Sequence, residues 1–79
     1  VILRLDPEEL GEQSTQIVQE LQQFGAAAPG RRCRFVISAS NDGQGRWIYQ
    51  RLSDDVVGTR LRAEIKIGRP IRVERLCFE

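Results

Sequence analysis

The sequence predicts an α+β domain in which one amphipathic helix packs on one face of a four- to five-stranded antiparallel sheet, in the order β-α-β-β-β-β. Two observations carry that expectation. Apolar residues recur with a helical period up to Phe24, and from Arg31 onward they alternate with polar ones in the manner of strands. The same seam divides the charge. Residues 1–30 hold one Arg against five acids and residues 31–79 hold ten Arg and one Lys against six acids, so a total of +1 conceals −4 followed by +5. An acidic helix is expected to lie on a basic sheet.

Val1 to Leu5 is a short apolar run read as a first strand, whose place in the sheet the sequence leaves open. Asp6 is a good N-cap, Pro7 suits the first helical position, and Glu9 follows at capping-box spacing, so a helix should start at Pro7. Leu10, Ile17, Val18, Leu21 and Phe24 form its apolar stripe, Gly11 loosens its first turn, and Gly25 is the natural terminator. Ala26 to Gly30 reads as a loop.

Cys33, Phe35, Ile37 and Ala39 then alternate with Arg32, Arg34, Val36 and Ser38, a strand of about eight residues. Asn41-Asp42-Gly43-Gln44-Gly45 reads as a hairpin turn because of its Asp-Gly pair and second glycine, and Trp47 to Leu52 as the strand that follows. Ser53 to Thr59 is a longer connection. Leu61, Ala63, Ile65 and Ile67 alternate cleanly with Arg60, Arg62, Glu64 and Lys66. Gly68-Arg69-Pro70 turns the chain into a last strand from Ile71. Its apolar phase slips at Arg75, which a β-bulge near Glu74 and Arg75 would reconcile. The expected core is Ile17, Leu21, Phe24, Phe35, Ile37, Leu61, Ile65 and Ile67.

A chain of 79 residues makes a single small domain, 1–79, and its start at Val1 reads as a piece cut from a longer protein. A domain of this size buries about 60–65% of its unfolded surface, so a partner surface or a second copy would add to a thin margin. Hydrophobic residues at 41% with 29% charged fit a folded globular chain. No apolar run approaches the roughly 20 residues of a membrane span, and the expected location is cytoplasmic. With no histidine and two cysteines, one chain cannot close a zinc site and lacks the usual general base at neutral pH. No enzyme, metal or cofactor role is expected. Cys33 and Cys77 read as small core hydrophobes, the alternative being a disulfide between the first and last strands of the sheet, which would imply an oxidising compartment. Ser14, Ser38, Ser40 and Ser53 have no histidine to activate them. Asp54-Asp55 reads as turn chemistry rather than a magnesium ligand pair, and the Gly43/Gly45 segment lacks the lysine and following helix of a phosphate loop.

The candidate site is the sheet face opposite the helix. If Phe35, Ile48, Leu61 and Ile71 face the core, then Arg34, Trp47, Tyr49, Arg51, Arg62, Lys66 and Arg72 share the open side. Arg, Trp and Tyr are the residue types enriched in binding hot spots, so the expected function is non-enzymatic protein–protein interaction or assembly through this face or an edge strand, with a protein partner or a second copy. The alternative is RNA or single-stranded nucleic acid held by cations and stacked on the rings. Glu64 and Glu74 interrupt the positive field and favour the protein reading. The plainest reading of the same charges is a solvated ladder of cross-strand ion pairs.

Overall fold

The computed structural model describes residues 2–26, 32–54, 56 and 61–78. The elements are β1 (Ile2–Arg4), α1 (Pro7–Glu12), α2 (Thr15–Ala26), β2 (Arg32–Ala39), α3 (Asp42–Ser53), β3 (Arg62–Ile67) and β4 (Arg72–Phe78). The domain is α+β with a four-stranded sheet, but the sheet is mixed rather than antiparallel. In the order β1-β4-β2-β3, β4 runs antiparallel to both β1 and β2 while β3 runs parallel to β2. No helix among the described residues is long and apolar enough to cross a membrane. Of the loop expected from Ala26 to Gly30, Ala26 is the last residue of α2 and 27–30 lie outside the described residues, as does most of the connection expected over 53–59.

The expected single helix is two. Asp6 caps α1 by accepting from the Glu8 N–H at 2.9 Å. Gln13 then takes the left-handed conformation (φ 52°) and its N–H closes α1 on the carbonyls of Glu9 and Leu10. Ser14 Oγ accepts from the Ile17 N–H at 3.2 Å and starts α2. Gly25 does not terminate α2 from outside. It is a buried residue within the helix, and a Cβ there would overlap the backbone of Leu52, so it marks where α2 and α3 approach most closely. The Phe24 carbonyl, in the last turn of α2, accepts from Arg75 Nη1 at 3.2 Å.

Residues 41–52 form neither a hairpin turn nor a strand. Asn41 is the N-cap of α3, its side chain accepting from the Gln44 N–H at 2.8 Å, while Gln44 Oε1 accepts from the Ser40 N–H at 2.7 Å. This reciprocal pair satisfies free donors at the helix start, as a capping box does. Gly45, Ile48 and Leu52 then return to one face at helical spacing and are buried. A Cβ on Gly45 would meet the side chain of Ile65, so the glycine lets α3 lie close on β3. Because α3 separates β2 from β3, the two strands can run parallel as a βαβ unit.

β3 and β4 are not a hairpin either, since they flank β2. Two strand spacings are about 9.6 Å, within the roughly 13 Å reach of four residues, so Gly68 to Ile71 suffices to cross the end of β2. No bulge is needed near Arg75: β4 pairs with β2 in unbroken register from Arg32↔Phe78 to Ser38↔Arg72. Val73, Arg75 and Cys77 therefore share the helix side and Leu76 faces away. The Arg75 position is made tolerable by Phe24, whose ring lies 4.8 Å from the guanidinium.

Phe35, Ile37, Ala39 and Val73 occupy one sheet face and are buried against Leu10, Ile17, Leu21, Ile48 and Leu52 from the three helices. Phe24, Leu61 and Ile65 are partly buried against this core. Ile67, expected inside, is 62% exposed because it lies at the end of an edge strand. Cys33 and Cys77 are not packed as free core thiols. They stand directly opposite in the β2–β4 register and form a disulfide.

Candidate functional site

The register lays out the sheet face away from the helices in rows running across the strands. Arg4, Arg72, Ser38 and Lys66 form one row over all four strands; Ile2, Glu74, Val36 and Glu64 form the next; Leu76, Arg34 and Arg62 form a third. A four-strand row spans about 14 Å. The face is thus banded, with two cationic rows separated by a row holding two acids. Arg72 reaches from its row to Glu74, Nε to Oε1 at 3.0 Å, while Glu64 and Lys66 make no ion pair with any described residue.

The expected cluster is split by the fold. Arg34, Arg62, Lys66 and Arg72 do share the open face. Trp47, Tyr49 and Arg51 belong to α3, on the other side of the sheet, because residues 42–53 are helical. Trp47 and Tyr49 pack against the core. Arg51 lies 5.7 Å from the centre of the Trp47 ring, and its Nε is 2.7 Å from Asp54 Oδ2, which also accepts from Gln22 Nε2 at 3.1 Å. These contacts tie the end of α3 to α2, and they give Asp54 a structural partner; Asp55 lies outside the described residues. Within the described residues no three His, Cys, Asp or Glu side chains gather where they could hold a metal ion.

Sequence reasoning missed a second surface, along β3. This strand is one edge of the sheet and six residues long. On its helix side an open groove of about 590 Å³ is lined by Tyr49, Leu61, Arg62, Ala63 and Ile65. The Tyr49 hydroxyl donates to the Leu61 carbonyl at 3.0 Å and fixes the groove's wall. Ile67 continues the apolar row past the groove, while Arg62, Glu64 and Lys66 alternate on the other side of the strand. The signal was present in the clean alternation of 61–67, but alternation does not say whether a strand is central or at an edge.

Comparison of the chain with protein-family models, with curated proteins and with solved structures finds no match.

Proposed function

We propose that this chain is a non-enzymatic protein-recognition and assembly module that acts through the β3 edge, an extended segment adding to the sheet as a further strand. The observation that carries this reading is a six-residue edge strand with an apolar groove beside it and Ile67 exposed at its end. Natural sheets generally shorten, cover or bend such edges, because their unpaired N–H and C=O groups invite another chain. Strand addition takes affinity from main-chain hydrogen bonds and specificity from alternate side chains. Here one set of incoming side chains would meet Tyr49, Leu61 and Ala63, and the other would lie beside Arg62, Glu64 and Lys66. Selection from a displayed library of random peptides, followed by hydrogen exchange on the complexes, tests this. Enriched peptides should alternate apolar and charged residues, protect amides 62–67, and bind at least tenfold more weakly to Ile67→Glu. Failure to enrich any peptide, or protection confined to other strands, would refute it.

A second reading rests on the two cationic rows, which suit the phosphates of a single-stranded nucleic acid laid along one of them. Trp47 and Tyr49, the rings expected to stack bases, sit across the sheet from that face, and Glu64 and Glu74 lie between the rows. If this reading held, a labelled single-stranded RNA would bind with a steep salt dependence, and Arg62→Ala would lower the salt slope by about one unit. Binding should instead stay weak and be indifferent to Trp47→Ala.

A further inference from the structure

We infer that the occupant of the β3 edge is a second copy of this chain, joined by two-fold antiparallel pairing of β3 with β3 in the register centred on Ile65; this rests on the strand-addition reading above. A two-fold axis normal to the sheet keeps helices on one side and pairs residues of like parity, so the candidate registers can be compared from sequence positions alone. Centring on Glu64 sets Glu64 against itself and Arg62 against the partner's Lys66, all like-charged. Centring on Lys66 sets lysine against lysine. Centring on Ala63 pairs Arg62 with Glu64 but engages only residues 62–64 of the strand. The Ile65 register leaves no like-charged pair and, of the registers that leave none, engages the longest stretch of β3, residues 63–67: it sets Glu64 against Lys66 twice, Ile65 against Ile65, and Ala63 against Ile67 twice.

That register also answers three local observations. Glu64 and Lys66, which form no ion pair with described residues, gain one each. Ile67, 62% exposed, would enter the partner's groove at Ala63, where the small side chain leaves room beside Tyr49, Leu61 and Ile65. Opposite charges and apolar pairs directly across an antiparallel ladder stabilise it, and like charges there oppose it. The alternating charges that guard the edge against arbitrary strands thus favour one self-pairing. The product is a continuous eight-stranded sheet.

Sedimentation equilibrium of the 79-residue chain over a concentration series, with Glu64→Lys, Lys66→Glu and the double variant, tests the register. The wild type should move from 9.0 kDa towards twice that mass and dissociate as salt rises. Each single variant creates two like-charge pairs and should shift the midpoint to at least tenfold higher concentration. Mixing the two singles makes every cross-strand pair opposite in sign, so a heterodimer should form; the double variant should dimerise like the wild type. Both sites are exposed, and unchanged urea midpoints would verify folding. A wild type monomeric at millimolar concentration, a dimer indifferent to both singles, or a mixture and double variant that fail to restore association would each overturn the inference. A monomer that still binds a displayed peptide on amides 62–67 would refute the second copy alone, whereas loss of both kinds of pairing would refute strand addition as well.

Discussion

Gly25→Ala should destabilise the domain by about 2 kcal/mol, whereas the same change at Gly11 should stabilise it. Both glycines lie in helices, and alanine is favoured over glycine by about 1 kcal/mol in a helix interior. At Gly11 no atom of the described residues, its own stretch of helix aside, lies within 4 Å of the added Cβ, so that gain should be expressed almost fully. At Gly25 the Cβ would coincide with the Leu52 carbonyl group and crowd its Cα. Backbone cannot rotate aside as a side chain can, so α2 must lift from α3. A radial gap of 0.5–1 Å forfeits about a quarter to a half of each dispersion contact across the seam, and overpacking of this kind costs about 1–3 kcal/mol or more. Taking about 3 for a clash with main chain and subtracting about 1 for propensity leaves a net loss of about 2. In a domain of this size that is a fall of roughly 8–16 °C in Tm. Parallel urea melts of the two variants decide the matter, with the m value as a check that the denatured state is unchanged. A Gly25→Ala protein as stable as the wild type would show that α2 and α3 do not approach at Leu52.

Leu21→Ala removes a fully buried side chain from beneath α2 and should cost about 2–5 kcal/mol in denaturant melts; a loss below about 1 would contradict the packing of that helix. Asn41→Ala should cost about 1 kcal/mol, and Asn41→Asp should retain most of the stability, because either side-chain oxygen can accept from Gln44. Were 41–45 a hairpin turn, the far-UV helix signal would not change with Asn41→Ala near the melting midpoint. Reducing Cys33–Cys77 opens a loop of sequence separation 44, which chain entropy values at about 4 kcal/mol. A urea midpoint indifferent to reductant would refute the cross-link's contribution.

The elements that were legible in the sequence are those whose pattern has one explanation. Asp6-Pro7 starts a helix whatever surrounds it, and the alternations at 33–39 and 61–67 form strands β2 and β3. The segment 41–52 was misread because two patterns compete there. Asp42-Gly43 and Gly45 suit a hairpin, and Trp47-Ile48-Tyr49 suit a strand. Asn41 with Gln44, and the spacing of Gly45, Ile48 and Leu52, suit a capped helix, and the tertiary structure chose the second because Gly45 fits under Ile65. That one error carried the site with it: placing Trp47, Tyr49 and Arg51 by strand parity put them on the wrong side of the sheet. The cations Arg34, Arg62, Lys66 and Arg72 kept their face because their strands were assigned correctly. Strand order was not legible at all, since alternation fixes a face and says nothing of neighbours.

The cross-link between β2 and β4 divides the chain by its response to force. When the first and last residues are pulled apart, only the segments before Cys33 and after Cys77 can lengthen, so β1, α1 and α2 can be drawn out while α3 and β3 stay inside a covalently closed ring. The extension available before the ring comes taut is about 3.3–3.6 Å per released residue. Tension along the chain would thus draw out two of the three described helices and leave α3 and the β3 edge inside a ring that carries no load, so the pairing surface lies off the load path.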